Sequence, residues 1–358
     1  LPVVVAIPAR NEEAHIRACL EALDGQVAAT VDHIVLLANN CTDATASIAA
    51  AVTLHSGATL HVLEKTLPPH IANAGAARRR VMEAGLRLAG PDGILIATDA
   101  DGQVDADWLA STLAAMARGA EVVAGWVDLH PLDWGRIPMR LHEDDARECA
   151  YDALCDEIHA RLDPDLHDPW PRHTQHSGAS IAVTVEAYLR CGGIPDVASG
   201  EDRALIEALR LVDARIRHDP AVHVSVSGRI EGRAEGGMAE TIRRRMVQPD
   251  EYVDDRLEPA EICALRARCR ATARRAYERP DRDVGLLVGL LSQPVEAVQR
   301  ALNLPHFGLA WKALEDSSPS LQRIRVPVSR LGAETVSAEA ILRPIRAADA
   351  LVEARWVA

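Results

Sequence analysis

Short apolar runs and helical stripes take turns along the first 125 residues. Runs of strand length lie at Pro2–Ile7, His33–Ala38, Leu60–Leu63, Gly93–Thr98 and Ala120–Gly125. Between them fall helical patterns: Ile16, Leu20 and Leu23 at i, i+4, i+7, and the stretch Gly75–Ala89. Another begins near Asp107, with Trp108, Leu109, Leu113 and Met116 on one stripe. Strands alternating with helices predict an α/β fold, a mainly parallel sheet covered on both faces. Residues 126–176 break the rhythm, being rich in Pro, His, Asp and Trp around a helical stretch near 143–162. A strand and a helix return at Ala179–Cys191, followed by an acidic turn at Gly200–Asp202, a helix to about Val212 and a strand near Val222–Ser227. From about 238 onward the pattern is helical and Arg-rich, with Ile262, Leu265 and Cys269 on one stripe. No apolar run reaches about 18 residues and no signal peptide is visible.

Composition narrows the partners. The 358 residues suffice for one large α/β domain with a smaller helical region. Only one Phe and four Tyr accompany six Trp, so the core must be built mostly from Ala, Val, Leu and Ile. A formal charge of -13 argues against duplex nucleic acid or an anionic membrane as the main partner. An anionic ligand therefore needs local positive charge, backbone amides or a metal. Seven scattered cysteines without a CxxC pair suit reduced thiols and a cytoplasmic location.

The polar groups at strand ends carry the chemistry. The run Gly93–Thr98 ends in Asp99 and Asp101, one residue apart. In an extended chain such side chains share a face, at the end of the strand where α/β sheets place their ligands. Either this is an acidic turn, or the pair holds a hard divalent cation that also carries phosphate oxygens. The first strand runs into Pro8-Ala9-Arg10-Asn11-Glu12-Glu13 and the second into Asn39-Asn40-Cys41-Thr42-Asp43. Asn40 and Thr42 read equally as helix caps, whereas a carboxylate at Glu12 or Asp43 can accept the N–H of a nucleobase. Arg78 stands at the start of a helix beside small residues, where a pyrophosphate would find it; Arg79 and Arg80 also suit a solvated basic face. His167, Asp168, His173 and His176 invite a zinc reading, but no cysteine has finger-like spacing, which favours acceptor binding or plain loop structure.

The segments IPARNEE, NNCTDAT, GAARRRVMEAG, TDADGQV and then SGAS, GGIP and GEDRAL occur in the order and spacing of family 2 glycosyltransferases. The chain resembles that family over roughly residues 3–237. The resemblance implies a GT-A type nucleotide-diphospho-sugar transferase fold over 1–237, Rossmann-like, with a nucleotide-sugar half (about 1–125) and an acceptor half (about 126–237). A helical C-terminal extension (238–358) matches no motif and suits packing on the catalytic domain or a homodimer contact. It also implies a divalent metal, Mn²⁺ or Mg²⁺, and an inverting transfer. Carried over by position, Pro8, Ala9, Arg10 and Glu12 line the nucleoside pocket and Asp43 faces the base. Asp99 and Ala100 lie near ribose or metal, Asp101 binds the metal, and His223 is a candidate third ligand. Asp202 is the expected base, with Glu201 as neighbour or acceptor contact. Ser177 and Gly178 let a sugar approach the backbone, and Arg229 and Arg233 sit in a glycine-rich segment that reads either as a loop closing over the diphosphate or as an ordinary exposed linker. A carboxylate facing the base suits uracil first and guanine second.

No Gln-x-x-Arg-Trp motif is present, so single-sugar, non-processive transfer to a small-molecule or lipid-linked acceptor is expected. Two other classes compete. A sugar-phosphate nucleotidyltransferase would show a Gly-rich basic loop after the first strand, where this chain reads PARNEE. A non-catalytic nucleotide-sugar-binding module would have no need of the Glu201-Asp202 pair.

Overall fold

Odd and even residues of the first strand go to different cores. In the computed structural model, which describes residues 1–232, 237–279 and 283–357, Val3, Val5 and Ile7 join one apolar cluster and Val4 and Ala6 another. That split follows from the two-residue period of a strand buried on both faces.

The elements follow in order. Strand β1 (Val3–Ala9) leads to α1 (Ile16–Asp24), β2 (His33–Asn39), α2 (Thr45–Ala50) and β3 (Thr59–Lys65). Next come α3 (Ala74–Ala89), β4 (Ile94–Ala97), β5 (Gln103–Val104), α4 (Trp108–Ala117) and β6 (Val122–Leu129). Then come α5 (Met139–Leu162), β7 (Ile181–Thr184), α6 (Val185–Arg190), α7 (Glu201–Leu211), β8 (Ile216–Val226) and α8 (Met238–Val247). The remainder is helical: α9 (Ala260–Tyr277), α10 (Gly285–Leu291), α11 (Val295–Leu302), α12 (Phe307–Ser317) and α13 (Leu331–Val357).

One sheet runs β3-β2-β1-β4-β7-β6-β8-β5. Neighbours are parallel except where β7 meets β4 and β6, and where β5 meets β8. Helices α1, α2 and α4 pack on one face through Ile16, Leu20, Ala49, Trp108 and Leu109; α3, α6 and α7 cover the other through Val81, Met82, Tyr188, Leu205 and Ile206. This is the mainly parallel α/β architecture expected from the pattern. Edge strand β3 carries the charged Glu64 and Lys65, which discourage pairing with another chain. Two strands differ from expectation. β6 continues past Gly125 to Leu129 across a register shift at Gly125/Trp126, and the two-residue β5 has no apolar run to announce it. A Cβ on Gly125 would lie 2.2 Å from Ser180 Oγ, so close packing there requires glycine.

The chain divides into two compact units. The first, 1–138, 175–210 and 214–247, contains the sheet; the second comprises 139–174, 211–213 and 248–358. Residues 139–174, read from the sequence as part of the acceptor half, thus group with the C-terminal helices. Within that second unit Tyr151, Cys155 and Ile158 of α5 pack with Cys263, Ala264 and Leu342. Of the stripe expected on α9, only Cys269 is buried; Ala260, Cys263, Ala264 and Ala267 take the inner face, and Ile262 and Leu265 lie half-buried. Among the described residues, no helix is long and apolar enough to cross a membrane, and all seven cysteines are free.

Candidate active site

Strands β1, β2 and β4 are parallel neighbours, so the loops after them meet at one end of the sheet. After β1, Glu13 N–H donates to Asp43 Oδ2 (3.1 Å), and Ala44 N–H donates back to Glu13 Oε2 (3.1 Å). Asp43 Oδ1 accepts both the N–H (3.0 Å) and the hydroxyl (2.6 Å) of Thr45, and Thr45 Oγ1 accepts Glu12 N–H (2.7 Å). These hydrogen bonds hold the Asp43 carboxyl below its ordinary range, although burial pushes the other way. Asn11 and Asn40, the residues that turn the chain out of β1 and β2, both have positive φ (57° and 52°), a conformation Asn tolerates better than most. Pro8 is half-buried, Ala9 buried and Arg10 exposed.

The acidic pair after β4 is not held in an extended strand. β4 ends at Ala97, and Gly102 N–H donates to Asp99 O (3.0 Å), so residues 99–102 form a turn. The carboxylates therefore face different partners. Asp99 Oδ1 accepts Arg78 Nη2 (2.6 Å), while Asp101 Oδ2 lies 3.3 Å from Arg229 Nη2. Arg229 also donates to Glu12 Oε2 (2.5 Å). The Asp101 side chain is 13% exposed, against 34% for Asp99. Burial, and then the neighbouring Asp99, push the Asp101 carboxyl up to about 7. Ala100 points into the core.

Arg78, expected near a pyrophosphate, is buried and bonds acceptors of this chain. Beyond Asp99, it donates through Nη1 to Gly178 O (3.0 Å) and through Nε to Glu201 Oε1 (2.8 Å). Its place follows from α3, which Asn73 caps by accepting Ala76 N–H (2.8 Å). Gly75 in the first turn brings that helix end against the chain before α7, since a Cβ there would lie 2.0 Å from Val197 O. Glu201, expected as a neighbour of the base or an acceptor contact, is buried against Arg78. Asp202 is the freer of the two: Oδ2 accepts Gly178 N–H (3.0 Å) and Oδ1 accepts Arg203 N–H (2.8 Å). Burial lifts the Asp202 carboxyl above its ordinary range, against the pull of Arg78 and the Gly178 amide. Ser177 Oγ accepts Ala179 N–H (3.3 Å).

His223 does not join the acidic pair. Its ring nitrogens face Asp105 Oδ2 (3.0 Å) and Asp128 Oδ2 (3.1 Å), because its β8 position pairs with Trp126 of β6. Among the expected histidines near 173, His176 meets His218 (3.0 Å) and Arg210 (3.0 Å). Among the described residues, no three His, Cys, Asp or Glu side chains converge as a closed metal site. Arg233 lies outside the described residues. Asp133 was not legible in the sequence. It sits in a six-residue 3₁₀ segment at Pro131–Arg136 and accepts Gly228 N–H (2.9 Å), fixing the residue before Arg229.

Residues 4–168 match the family model described as Glycosyl transferase family 2. Over that stretch the chain is similar to family 2 glycosyltransferases. No curated protein sequence matches it. Among solved structures it is similar to a mannosyltransferase from Pyrobaculum calidifontis in complex with GDP-Man and Mn²⁺, at 18% identity, covering 96% of this chain and 82% of that one with a TM-score of 0.44. Glucosyl-3-phosphoglycerate synthase from Mycobacterium tuberculosis, in complex with Mn²⁺, UDP and phosphoglyceric acid, shares 18% identity over 69% of this chain and 77% of that one, TM-score 0.41. TarS from S. aureus in complex with UDP-GlcNAc shares 15% identity over 97% and 92%, TM-score 0.47. In this site one carboxylate after β4, Asp99, and one opening α7, Glu201, converge on a single buried arginine, Arg78.

Proposed function

We propose that the chain transfers a single sugar from a uridine-diphosphate sugar to an acceptor hydroxyl, with inversion and with a divalent metal. The observation that carries the reading is the convergence of Asp99 and Glu201 on Arg78, which brings the donor-side turn and the start of α7 to one place.

The nucleoside preference rests on counting acceptors. A carboxylate offers about four lone-pair sites. Thr45 uses both on Asp43 Oδ1, and Glu13 N–H uses one on Oδ2. Oδ2, which takes only Glu13 N–H from the neighbouring loop, is the oxygen turned to the single N3–H of uracil. Guanine presents N1–H and N2–H side by side and needs both oxygens.

The donor set suits a hard cation. Asp101 keeps a carboxylate whose near neighbour, Arg229, is shared with Glu12, and Asp99 keeps its second oxygen. One or two carboxylates completed by substrate phosphates and water is the usual arrangement for such ions. Asp101 would hold the ion, with Asp99 at its margin. When bound, it offsets the charge that develops on the departing diphosphate.

Asp202 takes the proton of the acceptor hydroxyl as that oxygen attacks the anomeric carbon from the face opposite the diphosphate. Its raised pKa brings it nearer to a useful base strength than an ordinary surface aspartate. Glu201, held by Arg78, orders the start of α7 beside it. Arg229 stands one residue beyond Gly228 with its guanidinium on Asp101 and Glu12, within the loop expected to meet the diphosphate.

A panel of UDP-, GDP- and dTDP-sugars, screened for Mn²⁺-dependent thermal shift and then for turnover, tests the reading. The strongest shift is expected from a UDP-sugar, and the product should be inverted at the anomeric carbon. A preference for GDP-sugars, or a retained configuration, overturns the corresponding part.

A further inference from the structure

Three stretches of chain meet at Arg78. Its guanidinium donates to Asp99 after β4, to the Gly178 carbonyl ahead of β7 and to Glu201 at the start of α7, at 2.6, 3.0 and 2.8 Å. The Gly178 peptide is gripped from both sides: its carbonyl accepts Arg78, and its N–H donates to Asp202 Oδ2 at 3.0 Å. The route from donor side to base is therefore short: Asp99, Arg78, the Gly178 peptide, Asp202. Glycine is required on that route, because a Cβ at 178 would lie 2.5 Å from Arg78 Cζ and Nη2. The guanidinium lies against bare backbone.

We propose that Arg78 is a positioning residue for the transfer, fixing the Asp202 carboxylate relative to the donor-side turn through the Gly178 peptide. The inference rests on Asp202 being the base. A planar fork suits the task, since Nε, Nη1 and Nη2 reach three separated acceptors at once, a span that the single ammonium nitrogen of a lysine lacks. Arg78 also sets the local field. It offsets the carboxylates of Asp99 and Glu201, which would otherwise crowd a third carboxylate with negative charge. The groups facing Asp202 are Arg78 from α3, the Gly178 amide, and on its own helix Glu201 and the Arg203 amide. Arg78 favours the ionised form of Asp202 and Glu201 disfavours it, so removing each should move the titration in opposite directions. A side chain that only filled space would move neither.

The test uses the full chain with aspartate carboxyl carbons labelled for NMR, the Asp202 signal being assigned by its loss in Asp202→Asn. The Asp202 midpoint is expected to rise in Arg78→Met, which removes the charge, to stay nearer wild type in Arg78→Lys, which keeps it, and to fall in Glu201→Gln. UDP binding in Mn²⁺, measured by calorimetry, should stay within about threefold of wild type in Arg78→Lys. Turnover of the best UDP-sugar in that variant should drop at least tenfold in kcat with KM little changed. Arg78→Met leaves Glu201 buried without its partner, which endangers folding. The double variant Arg78→Met/Glu201→Gln removes both charges, and in it kcat should stay low because Gly178 has lost its anchor. An Asp202 midpoint that stays put in Arg78→Met, or moves the same way there and in Glu201→Gln, overturns the proposal. So does a raised KM at unchanged kcat, which would make Arg78 a donor contact. Full turnover in Asp202→Asn would instead sink the base assignment, whatever the midpoints do.

Discussion

Arg229 Nη2 lies 3.3 Å from Asp101 Oδ2, while its Nη1 sits 2.5 Å from Glu12 Oε2. One guanidinium thus joins the carboxylates that follow β4 and β1. A cation arriving at Asp101 must share that oxygen with Arg229 or replace it there. Arg229→Ala is expected to tighten Mn²⁺ binding in the absence of nucleotide by roughly three- to tenfold, about 1 kcal/mol. Electron paramagnetic resonance of free Mn²⁺ measures this. Asp101→Ala should abolish Mn²⁺-enhanced UDP binding while leaving thermal unfolding near wild type, since the removed carboxyl is a buried acid with its pKa raised to about 7. UDP binding and turnover that survive a chelator intact would remove the metal from the proposal.

Asp43 has two duties, and substitution separates them. Asp43→Ala removes a base contact together with the pins to Thr45 and Glu13. UDP affinity should weaken by roughly 1–3 kcal/mol, the worth of a hydrogen bond to a charged group, and thermal stability should fall as well. Asp43→Asn can keep an oxygen toward Thr45 while presenting an NH₂ where Glu13 N–H and the base need an acceptor. Calorimetry with UDP and a melting curve on each variant check this. Unchanged UDP affinity in the alanine variant would leave Asp43 as a loop pin alone.

Asp202→Asn should keep UDP affinity and lower kcat by roughly two to four orders of magnitude, the range for general acid–base catalysis. A base works only when ionised, so wild-type kcat should fall as pH drops through the Asp202 pKa. That fall is expected above the ordinary aspartate range, because burial lifts the group. The acid limb should vanish with the side chain. A limb that persists unchanged in Asp202→Asn belongs to another group.

His223 is expected to act as a pH-dependent clasp on the sheet. Burial works against its charge, but Asp105 and Asp128 outweigh that and raise its pKa above the ordinary value. The stabilisation from a raised pKa is fully present below the unfolded-state value and is lost as pH rises through the folded one. Wild type should therefore lose part of its stability as pH climbs from the unfolded histidine value, about 6.5, through the higher folded one. His223→Gln should flatten that segment of the profile without changing Mn²⁺ affinity. Weaker Mn²⁺ binding in the variant would return His223 to the metal.

The order of strands and helices was legible because it depends on neighbours in the chain. A stripe such as Ile16, Leu20 and Leu23, or the unbroken Val3–Ile7, needs only an apolar face to bury. The family motifs were legible for the same reason, each being a short run after a strand. Where the expectation was local but the geometry was not, it failed. The extended-strand argument for Asp99 and Asp101 gave way to a turn closed by Gly102, and β5 was too short to carry a period.

Charge partners were decided by tertiary structure alone. Arg78 meets Glu201 from 123 positions away, and Arg229 meets Glu12 from 217. The sequence shows that these residues exist and that their types suit a diphosphate, a metal or a base. Which carboxylate each arginine takes depends on the direction of side chains from different elements and on how far each is withdrawn from water. A guanidinium buried among several acids goes to those it can reach with good geometry, because unpaired buried charge is costly. By itself the chain's pattern determined an α/β sheet with acidic groups at one end. Folding then turned Arg78 inward onto Asp99 and Glu201, sent His223 to Asp105 and Asp128, and left Asp101 and Asp202 outside the Arg78 ion pairs.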